Sequence, residues 1–350
     1  MFRKPPRPHS TSQSSLIGGS SGKSSETLPP CGAEAPSIAT YFDSTHDVTV
    51  PASNGTFRVY QNFASSGPLF IFHHGAGHTS LSWALVARLL KNRSQPCSVL
   101  CYDCRGHGAT QTGDDSDLSL TRLSGDLVNI LDVLYETLPA DIILVGHSMG
   151  GAVVVDAAAS KAFKSLLGVV VIDVVEGTAM ESLAHMQVYL RNRPASFASI
   201  REAVDWSTLG TIKNRDSARI SVPSQLKEAT NKDGDKPWVW RADLNASQVH
   251  WKGWFQGLSK KFLSARAARL LILAGTDRLD TELTIGQMQG KYQLVLYPES
   301  GHTIQEDEPE KLASTLWEFW DRNGPGKIIK RFPIPIPVKS VAAPASAPEH

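Results

Sequence analysis

Nucleophilic chemistry in this chain would come from a serine between glycines, a histidine behind a glycine, and two aspartates that end apolar runs. Gly146-His147-Ser148-Met149-Gly150 follows the apolar run Ile142 to Val145 and opens a run of small and β-branched residues. A serine placed on so sharp a strand-to-helix turn stands clear of a sheet, and glycine at both flanking positions lets the backbone close that tightly. A serine hydroxyl attacks poorly until a base takes its proton. Histidine titrates near neutrality, so it can accept that proton and later return it to a leaving alcohol. His302, in Ser300-Gly301-His302 after a β-type run, is the predicted base. The imidazole in turn needs a buried carboxylate to hold its tautomer. Two candidates exist, Asp173 at the end of Leu167 to Ile172 and Asp277 after Leu270 to Ala274.

His74, His78, His107 and His147 also fall near the site, but each precedes or adjoins the serine, and the chain order serine, acid, histidine disfavours them as base. The residues alone leave the acid open. Asp277 sits at the commoner position for this chain order, and Asp173 lies one strand after the nucleophile. Oxyanion donors are expected from the backbone of Met149, at the start of the helix after the serine. The turn His74-Gly75-Ala76-Gly77-His78 supplies the others, from Gly75, Ala76 and Gly77.

Positioning these groups requires strands whose carboxyl ends meet. Asp47 to Pro51 and Thr56 to Asn62, parted by Ala52-Ser53-Asn54-Gly55 with its Asn-Gly turn dipeptide, read as a hairpin. Pro68 to His73 is a continuous apolar strand of the kind buried on both faces of a parallel sheet, Leu81 to Lys91 a helix, and Ser98 to Tyr102 the next strand. Leu120, Leu123, Leu127, Ile130, Leu131 and Leu134 recur at helical spacing. Alternation lapses from 174 to about 268, a tryptophan-rich stretch expected to be an inserted helical cap. It resumes through a helix near Glu282 to Gln289, a strand Gln293 to Tyr297, and a closing helix from Pro309. This pattern predicts an α/β fold, a mostly parallel sheet flanked by helices, over residues 37–323. Residues 1–36 and 324–350 are expected to be disordered, the first poor in large apolar side chains and the second rich in proline and alanine.

Lysine plus arginine (35) against aspartate plus glutamate (34) gives a net charge of +1, which offers no field for nucleic acid or an anionic membrane. No stretch approaches the ~20 apolar residues of a membrane helix. Cys31, Cys97, Cys101 and Cys104 form no disulfide framework, and Cys101 to Cys104 lacks a second ligand pair at zinc spacing. Buried thiols in a reducing, cytoplasmic compartment are the expectation, with the nucleus as a second location and no metal or cofactor. Arg3, Lys4 and Arg7 precede no apolar core of a secretory signal. The Ser-rich, acid-poor start also fits a mitochondrial leader, although Pro5, Pro6 and Pro8 oppose the helix one needs.

Between about residues 40 and 322 the chain resembles the protein phosphatase methylesterase family, a group with the α/β-hydrolase fold. The elbow is generic to that fold. More distinctive are Ile172-Asp173-Val174-Val175-Glu176-Gly177-Thr178-Ala179-Met180, Trp251-Lys252-Gly253-Trp254-Phe255-Gln256-Gly257-Leu258-Ser259 and Leu283-Thr284-Ile285-Gly286-Gln287-Met288-Gln289-Gly290-Lys291. The resemblance implies Ser148 as nucleophile, Asp173 as acid and His302 as base. It also implies removal of the methyl ester from the C-terminal leucine carboxylate of the protein phosphatase 2A catalytic subunit, which would be the protein partner of a chain that is a monomer on its own. Around Asn231 to Lys236 the sequence is shorter than in animal members. Two other readings stay in view. One is a hydrolase of the same fold acting on a small ester or thioester, and the other is a non-catalytic scaffold that binds a phosphatase. An epoxide hydrolase or dehalogenase would instead want aspartate at position 148.

Overall fold

The computed structural model describes residues 37–160, 162–163, 166–231, 234–275 and 279–324. The arm over 1–36, the tail beyond 324, Cys31 and Asp277 lie outside the described residues. Ser44–Val50 (β1) and Gly55–Asn62 (β2) form the expected antiparallel hairpin, with Ser44 opposite Gln61 and Val50 opposite Gly55. Asn54 takes the left-handed turn position at φ 48°, which asparagine tolerates better than most side chains. Leu69–His73 (β3), Ala84–Lys91 (α1), Ser98–Tyr102 (β4), Gln111–Thr112 (β5), Leu120–Leu134 (α2), Ile142–His147 (β6), Met149–Ala159 (α3) and Gly168–Ile172 (β7) follow. The insertion holds Glu176–Asn192 (α4), Ser196–Phe197 (β8), Ile200–Gly210 (α5), Arg215–Ser221 (α6), Leu226–Glu228 (β9), Trp238–Trp240 (β10), Gln248–Phe255 (α7) and Leu258–Ser264 (α8). Ala268–Ala274 (β11), Thr281–Met288 (α9), Gln293–Tyr297 (β12), Ile304–Asp307 (α10) and Pro309–Asn323 (α11) complete the order.

The main sheet runs β1-β2-β4-β3-β6-β7-β11-β12, with β5 beside β2. It is antiparallel through β1, β2 and β4, and parallel from β4 to β12. Side chains of the central strands alternate between two cores, as a pleated strand buried on both faces requires. Leu69, Ile71, Ile142, Leu144, Val169 and Val171 join the core under α2 and α3. Their neighbours Phe70, Phe72, Ile143, Val145, Val170 and Ile172 join the core under α1 and α11. The carboxyl ends of β3, β6, β7 and β12 therefore share one edge.

The insertion divides in two. β8, β10 and β9 pair as a small antiparallel sheet whose Phe197 and Trp240 rings pack against Trp206 of α5 and with α6 in a separate core. Trp251 and Trp254, expected in the cap with the other tryptophans, instead belong to the main core. Three residues apart on α7, they share one helix face. That face is anchored where Trp254 Nε1 donates to the Leu118 carbonyl (2.7 Å). α3 is thus enclosed between the sheet and α7 and α8, which accounts for its nearly continuous apolar surface. Cys97, Cys101 and Cys104 are free thiols inside the protein, and burial raises the pKa of all three.

Candidate active site

The elbow has the shape its glycines demand. Ser148 sits at φ 52°, ψ −119° between β6 and α3, a conformation that costs energy and persists only where the surroundings impose it. A Cβ on Gly146 would lie 2.1 Å from the Gly150 carbonyl oxygen, and one on Gly150 would lie 2.3 Å from the His73 carbonyl oxygen. No other residue fits at either place. The Ser148 N–H donates to the Ile172 carbonyl (2.9 Å), tying the elbow to β7. Met149 opens α3, so its N–H is among those with no partner inside the helix.

Asp173 ends β7 at φ 54°, and its carboxylate is held from two sides. Its Oδ1 accepts from the Ala274 N–H at 2.7 Å. His302 Nδ1 is 2.6 Å from its Oδ2. The Asp173 side chain is 7% exposed and that of His302 41%, so the acid is walled in while the base faces outward. Ser148, Asp173 and His302 all lie on the shared edge, at the ends of β6, β7 and β12.

His147, passed over as a base, braces the loop that carries His302. Its Nε2–H donates to the His302 carbonyl (2.8 Å), and Gln305 Nε2 donates to its Nδ1 (3.3 Å). Burial, and then the nearby His302 and His78, push its pKa well down, which keeps the ring neutral in this tautomer. The cap grips the same loop. Thr303 Oγ1 donates to the Thr211 carbonyl (2.9 Å), and Asp307 accepts from the Gly301 N–H (2.6 Å) and the Lys213 N–H (2.8 Å). Ser217 and Ser221 of α6 donate to the fully buried Glu306.

Two more neutral histidines shape the Gly75 to Gly77 turn. His74 Nδ1–H donates to the Gly75 carbonyl (2.8 Å), leaving Nε2 to accept from the Cys104 N–H (3.0 Å). His107 Nδ1–H donates to the Arg105 carbonyl (2.8 Å), so its Nε2 accepts from the Gly77 N–H (2.9 Å). Burial pushes the His107 pKa down to about 4, keeping that acceptor unprotonated at neutral pH. Of the three amides expected to face an oxyanion, Gly77's is therefore directed to His107. His107 is itself fixed through Arg105, whose buried guanidinium pairs with both oxygens of Asp126 at 2.9 Å.

Nothing in residue type marks His107 or His147 as braces. The only available signals were the Arg105-Gly106-His107-Gly108 turn and the position next to the nucleophile. The expectation for His107→Leu is a kcat lower on the order of 10², because a small misplacement of the turn misaims its remaining donors, with KM moved far less. His107→Gln, which can offer an oxygen to the Gly77 amide, should recover part of that loss. Steady-state kinetics beside thermal melting checks this. A loss confined to stability, with kcat per folded molecule intact, would count against it.

Among the described residues no cluster of three or more histidine, cysteine, aspartate or glutamate side chains is arranged to hold a metal ion. Asp277, the alternative acid, lies outside the described residues.

An alpha/beta hydrolase family model matches residues 70–315. Protein phosphatase methylesterase 1 of Gibberella zeae is 47% identical over 297 residues, 81% of this chain and 74% of the relative. The protein of the same name from Bos taurus is 41% identical over 324 residues, 81% of this chain and 85% of the relative. Among solved structures, E-2-(acetamidomethylene)succinate hydrolase superposes with a TM-score of 0.65 at 22% identity, over 79% of this chain and all of that one (100%), a likeness of fold.

Proposed function

The chain belongs to the protein phosphatase methylesterase family, and from that membership we propose that it removes the methyl ester from the C-terminal leucine of the protein phosphatase 2A catalytic subunit. It is a carboxylic ester hydrolase of the α/β-hydrolase fold. On this reading Ser148 Oγ attacks the ester carbonyl while His302 Nε2 takes its proton. Asp173 holds Nδ1–H and stabilises the imidazolium that forms. The Met149 N–H, with Gly75 or Ala76, faces the oxyanion. His302 then protonates the departing methoxide as methanol, and water, deprotonated by the same imidazole, frees Ser148 from the acyl group.

The observation that carries this reading is the His302–Asp173 pair at 2.6 Å on the edge where the glycine-framed Ser148 stands. Methanol release from the carboxymethylated phosphatase catalytic subunit tests it. Labelling by a serine-directed fluorophosphonate separates an enzyme from a docking scaffold, since a scaffold would not react. We place the enzyme in the cytoplasm as a monomer. No helix among the described residues is long and apolar enough to cross a membrane.

The cap is larger than a pocket for one methyl ester needs, and its contacts with the His302 loop bring remote surface close to the chemistry. Contacts far from the reacting ester can position it, and substrates without them lose kcat as well as affinity. The intact methylated catalytic subunit should therefore exceed its isolated C-terminal peptide ester in kcat/KM by at least about 10²-fold, equivalent to roughly 2.7 kcal/mol. Comparable values for protein and peptide would reduce the cap to a lid and move a small ester ahead as the substrate.

A further inference from the structure

Arg193, just beyond α4, differs from the arginines whose charge the fold neutralises. Arg58, Arg105, Arg122 and Arg215 each face an aspartate. Among the described residues no carboxylate lies within ion-pair distance of Arg193. Its guanidinium is stacked over Trp240 instead, 3.7 Å from the ring centroid. Trp240 is held in turn by Nε1 donating to the Pro194 carbonyl (2.8 Å) and by edge contacts with Phe197 and Trp206. Stacking occupies the face of a guanidinium and leaves its planar N–H edge for a partner.

The place of this cation relates it to the active site. From Trp240 the chain runs to Leu244, whose Cδ1 would be 2.9 Å from a Cβ on Gly77 in the oxyanion turn. Four residues reach at most about 14 Å. Arg193 also acts electrostatically on His107, the imidazole that holds the Gly77 amide. Burial has pushed its own pKa down to about 10. A guanidinium losing hydration at the seam between cap and oxyanion turn, with no carboxylate partner among the described residues, is stabilised by an anion that arrives with the substrate.

We propose that Arg193 is a carboxylate subsite on the cap side of the active site, taking an acidic side chain of the substrate's C-terminal segment or the α-carboxylate that ester hydrolysis creates. The inference rests on the proposed action on a peptide C-terminus and names what that site recognises beyond the ester. A methyl ester carries no charge for Arg193 to bind, whereas its product does. Discrimination by this residue thus acts on flanking acid groups, on product retention, or on both.

The test is inhibition of p-nitrophenyl acetate hydrolysis by three peptides of otherwise equal sequence. One has neutral side chains and a C-terminal amide, one has the same side chains and a free C-terminal carboxylate, and one is amidated with an acidic residue near its end. At least one carboxylate peptide should inhibit the wild type about tenfold more tightly than the neutral amide, the worth of one charge-assisted contact of roughly 1.4 kcal/mol. Whichever carboxylate is preferred identifies the source. In Arg193→Met the ratio of inhibition constants should fall to about one, and Arg193→Lys should keep part of it. The ratio is taken within each enzyme, so it does not depend on how much turnover a variant retains. In the wild type the preference should also shrink as salt screens the charge, which tests the subsite without any variant. Equal inhibition by all three peptides, or a preference that survives in Arg193→Met, overturns the proposal. Failure of the methylesterase reading would show separately, as absent methanol release from the phosphatase.

Discussion

Ser148→Ala and His302→Ala should each lower kcat for methyl ester hydrolysis on the order of 10⁶-fold, and the double variant should lose little more than either. The reason is that the two groups act in one proton transfer. Without Ser148 Oγ the imidazole has no nucleophile to activate, and without the imidazole the hydroxyl keeps its proton at neutral pH. Residual catalysis, about 10³ to 10⁴ over water in serine hydrolases generally, comes from the oxyanion donors and substrate binding, which neither change removes. The fold should survive both. The Ser148 backbone is fixed by glycine packing and by its N–H on Ile172, not by its hydroxyl. In His302→Ala the Asp173 carboxylate keeps the Ala274 N–H as partner. Single-turnover kinetics with melting curves on all three variants is the measurement. Losses that multiply in the double variant would mean that serine and histidine act independently.

How much of this was readable beforehand depended on whether the controlling interaction is local. The Asn54-Gly55 hairpin, the two-faced strand Leu69 to His73 and the α2 stripe follow from pattern within a few residues, because a pleat or a helix repeats its burial over its own length. The elbow was equally legible, since the need for Gly146 and Gly150 arises from atoms within one turn and one neighbouring strand. The small cap sheet was not. β8 has two residues and β9 and β10 have three each, too few for any alternation to register. Trp251 and Trp240 look alike in sequence, yet one enters the main core and the other the cap, because only the path of the insertion decides which surface each meets. The braces His107 and His147 depend on burial and tautomer, which link residues 30 and 155 positions apart. For the acid, residue pattern leaned towards Asp277, and resemblance alone favoured Asp173.

Asp173→Asn should be the severe change at the acid position, lowering kcat on the order of 10⁴-fold by analogy with other serine hydrolases, with Asp277→Asn costing much less. The geometry around Asp173 indicates why a near-isosteric amide cannot substitute. Its Oδ1 accepts from the Ala274 N–H, and its Oδ2 faces His302 Nδ1 at 2.6 Å. An asparagine that keeps its oxygen on the Ala274 amide must turn its NH₂ towards His302. That donor satisfies an unprotonated Nδ1, which leaves the proton on Nε2, where it cannot accept one from Ser148. The flipped amide would restore the tautomer only by setting NH₂ against the Ala274 N–H, two donors facing each other in a site where the side chain is 7% exposed. Both orientations fail, one in catalysis and one in energy. The imidazole N–H resonances of His302 report the tautomer directly, alongside kcat for both variants. A proton still on Nδ1 in Asp173→Asn, or Asp277→Asn proving the more damaging change, would move the acid to the end of β11 and leave Asp173 a structural role in holding the Ala274 amide.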